Sequence, residues 1–207
     1  MGYGITLGGV DNLDLLQSDQ YLMAYTDSDY AACQDTRRCI GGFITMLYKS
    51  PISWVSRRHH IVVLSTTEAE YIALCYCMQE LIYIKLLLRE LGCESSKPTL
   101  IMEDNQSCIK IYNNPELHGR SKHIDIKYFF VQEKVTRKEF TISYCNTNAM
   151  CADIFIKPLA KPLFEKIREL LRDEDRPPSE AAAFDSQLEK AIKKADELKY
   201  KEAATAS

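Results

Sequence analysis

The 207-residue sequence lacks several features that would place it at once. It has no excess of positive charge: 26 lysines and arginines face 29 acids, for a formal net charge of −3. Such a chain presents no global field to a polyanion, so a nucleic-acid partner has to be held by local patches. It lacks an apolar run long enough to span a bilayer and lacks a signal-peptide pattern. The expectation is an intracellular, non-secreted protein with no membrane partner. The opening MGYGIT fits the N-myristoylation pattern only formally, because bulky Tyr3 follows Gly2. There are eight cysteines, but without the spacing of a disulfide framework or a zinc ribbon. Cys75 and Cys77 are two apart on an expected helix and so point different ways, and neither Cys33/Cys39 nor Cys145/Cys151 makes a ligand pair. Reduced, mostly buried thiols are the expected state.

What is present is a core. Apolar residues make up 46% of the chain and charged residues 27%, which suits one soluble globular domain plus an additional segment. Residues 21–27, 39–48 and 51–56 read as an antiparallel meander, with the two glycines of CIGGFITMLY marking a bulge and RRHH (57–60) a basic turn. STTEAEYIALCYCMQELIYIKLLLRELG predicts a long helix. Ser65 and Glu68 form a capping box at its start, Gly92 is its stop, and apolar residues surround most of it. PTLIMED (98–104) is a strand ending in acids, and NQSCIKIYNN (105–114) a helix that stops before Pro115. Ile124, Tyr128, Val131 and Val135 share a helical face, and EFTISY (139–144) alternates as a strand. A helical run from near Asn148 includes ADIFIKPL, and Pro158 separates it from a last segment at 161–172.

This order predicts an α/β domain over 21–172, a mixed sheet with helices against it, after a lead-in at 1–20. DEDRPPSE opens a linker at 173–183. Phe184, Leu188, Ile192, Ala195 and Leu198 then give an amphipathic helical tail at 184–207, suited to docking on the domain, on a second copy or on a protein partner.

The acids are the chemically suggestive feature. Asp27 ends the first strand and Asp104 the fourth, and parallel neighbouring strands would bring both to one sheet edge. Glu68 is explained by the capping box. Glu70 lies on a mostly apolar helix, where an acid is costly unless paired or metal-bound. Asp153 supplies a fourth carboxylate. Three or four converging carboxylates, with no Cys or His set at ligand spacing, suit Mg²⁺ or Mn²⁺, and two such ions would serve phosphodiester hydrolysis. Turn aspartates at strand ends explain the same spacing equally well. Asp29 and Asp125 are reserve acids, read as a turn acid and a solvated helix acid.

YTDSDYAACQDTRR, PISW, LSTTEAEYIAL, EDNQSCIKI, RSKHIDIKYFF and ADIFIKPL, in that order, resemble the ribonuclease H domain of copia-type LTR retrotransposon Pol polyproteins over residues 21–172. The resemblance implies a five-stranded mixed sheet, its first three strands antiparallel, with helices on both faces. It also implies that Asp27, Glu70, Asp104 and Asp153 hold two Mg²⁺ or Mn²⁺ ions and that the substrate is the RNA strand of an RNA–DNA hybrid. Such enzymes read groove shape and 2′-hydroxyls. Asn105 and Gln106 are placed for sugar or phosphate contacts, and Arg57, Arg58, His59, His60, Lys122, His123 and Lys127 are further phosphate candidates, each explained as well by an ordinary solvated face. Two departures stand out: Ile156 replaces the family's usual threonine, and no histidine precedes the last acid in EFTISYCNTNAMCAD. The rival readings are a catalytically silent captured fragment acting as a binding module, and a different nuclease or integrase on the same fold.

Overall fold

The computed structural model describes residues 22–30, 38–48, 50–60, 63, 65–93, 95, 97–113 and 122–172, without the side chains of 111–113, 122–125 and 172. The lead-in, the linker, the C-terminal tail and Cys33 lie outside the described residues.

Three strands form the expected meander: β1 (Leu22–Asp29), β2 (Ile40–Leu47) and β3 (Ser50–Arg58). β4 (Thr99–Glu103) and β5 (Phe140–Tyr144) complete a single sheet of order β3-β2-β1-β4-β5. β2 pairs antiparallel with β1 and β3, whereas β4 runs parallel to both β1 and β5. This is the sheet that the ribonuclease H resemblance implies.

The bulge sits between Thr45 and Met46, not at the glycines; β1 and β2 stay in register through Gly41 and Gly42. Those glycines serve close approach instead. A Cβ on Gly41 would run into the His59 ring, and one on Gly42 would overlap Ile156 Cγ2.

Helix α1 (Thr66–Glu90) lies against β1 and β2. Ser65 Oγ accepts from the Glu68 amide at 3.2 Å, the backbone half of the expected box. At the other end Gly92 adopts φ +72° while its amide bonds Arg89 O and the Cys93 amide bonds Leu88 O. This paired closure requires a left-handed residue, which glycine accepts without strain. By length and composition α1 could cross a membrane, with a mean hydropathy of 1.5 over 18 residues, which corrects the expectation that no run is long enough. Much of its apolar surface has another explanation: Ala69, Tyr71 to Cys75, Cys77, Met78 and Leu81 are buried inside the domain, while Tyr83, Leu86 and Leu87 are exposed.

Helices α2 (Gln106–Asn113) and α3 (Lys122–Thr136) pack beside α1, and Leu22, Ala24, Leu74, Met78, Leu81, Ile101, Val131 and Phe140 form the core on that face. On the opposite face Met23, Tyr25, Ile44, Leu100 and Met102 meet Met150, Ile167 and Leu170. Those last residues come from a segment comprising a 3₁₀ turn (Thr147–Ala149), α4 (Asp153–Ile156) and α5 (Lys161–Arg172). Alternation along β1 and β4 divides their side chains between the two cores, as a sheet covered on both faces requires. Each fully buried Leu, Ile or Phe stabilises the fold by roughly 1.5–3 kcal/mol relative to exposure. Of the seven cysteines described, only Cys93 is exposed.

Candidate metal centre

The register of the two central strands assembles the site. β1 pairs with β4 at Met23/Leu100, Ala24/Ile101 and Tyr25/Met102, so the same offset sets Asp27 alongside Asp104. Ladder pairing stops at Tyr25, and past it the strand ends leave room for carboxylates. Glu70, in the second turn of α1, points down onto this opening. Asp27, Glu70 and Asp104 each bring a carboxylate oxygen to within 4.8 Å of the others. Two of the three are nearly inaccessible: Asp27 is 2% exposed and Glu70 5%.

The carboxylates are individually oriented. Asp27 Oδ1 accepts from the Ser28 amide at 2.7 Å, and Asp27 Oδ2 from Lys157 Nζ at 3.0 Å. Thr147 Oγ1 donates to Asp104 Oδ2 at 2.9 Å, so the 3₁₀ turn positions that acid. Asp153, at the start of α4 and fully buried, is not one of this three-carboxylate group. Lys157 Nζ stands 2.8 Å from Asp153 Oδ1, close in distance but not aligned as a hydrogen bond. Lys157 thus bridges Asp27 and Asp153.

Crowding shows in the protonation equilibria. Burial, then the charges of Glu103 and Asp27, push Glu70 up to about 12. Burial, then the hydrogen-bonding proximity of Asp27, raises Asp153 to about 8 although Lys157 opposes the shift. Burial and the Asp27 charge raise Asp104, with Thr147 opposing. A buried acid among acids is held neutral until a cation compensates it. Glu70 Oε2 has no hydrogen-bond partner. Oxygen-only donors, a ligand spacing of this size and an orphaned buried carboxylate oxygen fit a hard divalent cation.

Two participants were not anticipated. Glu103, on the α1-facing side of β4, is completely buried; its Oε1 accepts from the Asn105 amide at 3.1 Å and its Oε2 has no partner. Burial raises it well above the ordinary carboxylate range, and Asp104 and Asp27 add to the shift. Strand alternation in TLIME carried the signal, since Ile101 and Glu103 must share a face. Lys157 is the second, and its signal was the i, i+4 spacing from Asp153.

The outer candidates separate. Asn105 Oδ1 accepts from the Ser107 and Cys108 amides at 2.9 and 3.1 Å, which caps α2 and fixes the side chain beside Asp104. Gln106 is exposed. Arg57 and Arg58 are exposed on the last residues of β3 rather than in a turn. Arg57 lies over the Tyr76 ring at 5.8 Å, Lys127 over the same ring at 4.7 Å, and Arg57 also meets His60 Nε2 at 3.0 Å. His59 is corrected: it is 3% exposed, tucked over Gly41, and its ring is lowered to about 4 by burial, so it meets no phosphate. Asp29 is half-buried at the end of β1. The side chains of Lys122, His123 and Asp125 lie outside the described residues.

Ile156, noted above as a departure from the resemblance, is 5% exposed and seats α4 on Gly42. Gly42 is the residue opposite Asp27 in the β1–β2 ladder. The contact therefore seats the helix that begins with Asp153 against the strand position opposite Asp27.

No family model matches the chain. It is similar to the retrovirus-related Pol polyprotein from transposon TNT 1-94 of Nicotiana tabacum, with 37% identity over 154 residues, 74% of this chain and 12% of that protein. It is also similar to the Pol polyprotein from transposon RE1 of Arabidopsis thaliana, with 35% identity over 158 residues, 76% of this chain and 11% of that protein. The chain thus spans about an eighth of the length of these relatives. Among solved structures, LC11-RNase H1 in complex with an RNA/DNA hybrid is similar at a TM-score of 0.48 and 12% identity, over 65% of this chain and 93% of that one. At more than a third identity across three quarters of its length, the chain belongs with the retrovirus-related Pol polyproteins of transposons, as a segment with a ribonuclease H-like fold.

Proposed function

We propose that the chain is a metal-dependent ribonuclease H that hydrolyses the RNA strand of RNA–DNA hybrids, with Mg²⁺ or Mn²⁺ held by Asp27, Glu70, Asp104 and Asp153. The observation that carries the reading is the convergence of the Asp27, Glu70 and Asp104 oxygens within 4.8 Å at one sheet edge. The relation to Pol polyproteins supports the same chemistry. Two divalent ions, when bound, supply water activation and stabilisation of the leaving oxygen. The chain's own residues provide the frame. Asp27 brings a carboxylate oxygen close to Glu70 and Asp104, the Ser28 amide holds its Oδ1, and Lys157 joins its Oδ2 to Asp153. Thr147 holds Asp104 so that one of its oxygens stays turned to the site. The capped Asn105 and the exposed Gln106 flank Asp104 where a sugar–phosphate backbone would pass. Exposed Arg57 and half-buried Lys127, ordered over Tyr76, provide a local cationic surface in a chain with no bulk positive charge.

The test is cleavage of a labelled RNA–DNA hybrid by the full chain with Mg²⁺, with EDTA, and with Asp104→Asn as control. Metal-dependent cutting of the RNA strand that disappears in the variant is the expected result. Hybrid binding without cutting at any Mg²⁺ or Mn²⁺ concentration would overturn the catalytic reading and leave a binding module.

A further inference from the structure

The site divides into two halves around Asp27. One half is the Asp27–Glu70–Asp104 cluster, in which neither Glu70 nor Asp104 forms an ion pair among the described residues and Asp27 alone is paired, with Lys157. The other is the gap between Asp27 and Asp153, and a cation already stands in it. Lys157 Nζ lies 3.0 Å from Asp27 Oδ2 and 2.8 Å from Asp153 Oδ1. The two carboxylates are 3% and 1% exposed, whereas the lysine side chain is 31% exposed. Its stem therefore enters from the surface. The Lys157 amide bonds Asp153 O at 3.2 Å and closes α4, so the backbone is fixed and only the flexible four-carbon stem is free to move.

We propose that the Lys157 ammonium is a tethered cation standing in the second-ion position, which bridges Asp27 and Asp153 in the resting site and has to swing out before a second divalent ion binds between them. The inference rests on the metal-dependent reading above, and deepens it by making the two ions unequal. The first enters the Asp27–Glu70–Asp104 half without displacing any ion-paired group among the described residues. The second competes with a cation of the same chain, whose effective concentration is that of a short tether. Lys157 is thus a positioning residue that sets the order and the concentration dependence of ion entry.

The experiment titrates Mn²⁺ into the full chain by calorimetry and by electron paramagnetic resonance of free Mn²⁺, for the wild type, Lys157→Met and Lys157→Arg. The wild type should bind one ion more tightly than the second. Lys157→Met should tighten the second step by about tenfold or more, with a smaller change in the first, and Lys157→Arg should keep the two steps unequal. If Lys157→Met unfolds without metal, refolding in Mn²⁺ with two ions per chain supports the inference and refolding with one overturns it. Wild-type binding followed by unchanged steps in Lys157→Met overturns the inference but leaves the metal-dependent reading standing. No binding to either protein overturns both.

Discussion

Gly42→Ala tests how the fold sets the site. Gly42 faces Asp27 across the β1–β2 ladder, and α4 rests on it through Ile156. An added methyl would overlap Ile156 Cγ2 and lie 2.9 Å from the Val55 carbonyl oxygen. That carbonyl belongs to β3, which pairs with β2 and cannot retreat without breaking the ladder. The strain therefore falls on α4, whose Ile156 methyl must withdraw by about 1 Å to regain a normal carbon–carbon separation of ~3.5 Å. Overpacking of this kind costs about 1–3 kcal/mol. For a domain of this size that lowers the melting temperature by roughly 2–12 °C. The larger effect should be chemical, because Asp153 and Lys157 ride on the same short helix. A displacement of about 1 Å at a reacting centre can cost on the order of 10²-fold in rate. Calorimetry and hybrid cleavage read the two effects. Ile156→Ala alone should destabilise by about 2–5 kcal/mol, but combined with Gly42→Ala it should cost less than the sum, because the second change removes the clash. A Gly42→Ala protein that melts and binds metal like the wild type, or strict additivity in the double variant, would refute the packing argument.

Three further outcomes follow from the acids. Asp27→Asn should abolish metal binding yet hold the metal-free melting temperature within a few degrees of wild type, since it relieves crowding as it removes a Lys157 partner; a collapse of stability would make Asp27 structural. Asp29, Glu70, Glu103, Asp104 and Asp153 are all shifted upward, so the folded state binds more protons than the unfolded chain above pH ~4. Stability from these groups is complete below their unfolded values and declines as pH rises from there to the folded ones, which for Asp153 means up to about 8. Thermal melts in EDTA should therefore fall from pH 5 to pH 8 and recover with Mg²⁺; a melting temperature that rises over that range sinks the argument. Glu103→Gln should raise the metal-free melting temperature at pH 8 and leave Mn²⁺ binding in place, because the side chain crowds Glu70 without joining the three-carboxylate cluster. Loss of Mn²⁺ binding in that variant would mark Glu103 as a ligand.

The sheet was legible because its signals are local. Alternation, the Ser65 cap, the Gly92 stop and the acids at the ends of β1 and β4 all depend on near neighbours in sequence. Glu70 could be preferred over Glu68 because one has a capping role and the other sits on an apolar helix. Features that depend on packing between distant segments were misread or unseen. His59 follows two exposed arginines, and nothing adjacent indicates that Gly41 leaves room for its ring. The Gly41–Gly42 pair looked like a bulge because in sequence a glycine kept for backbone freedom and one kept for a neighbour's volume are identical. Ile156 looked like a departure, and only the contact with Gly42 shows that it anchors α4.

The distribution of charge explains why the fold tolerates such a site. Five carboxyls, from Asp27, Glu70, Glu103, Asp104 and Asp153, are drawn around one sheet edge, and among the described residues Lys157 alone forms an ion pair with any of them. Hydrophobic burial on both faces of the sheet supplies the stability that this crowding removes, and the raised protonation equilibria of Glu70 and Asp153 lower the charge that remains. A divalent ion acts on the same balance from the other side, because it stabilises the ionised forms that the apo fold disfavours. Ion binding, proton release and stability are then one linked equilibrium. Lys157 sets its starting point: with the lysine in place the metal-free fold is supported, and with the lysine displaced the two halves of the site are open to two ions.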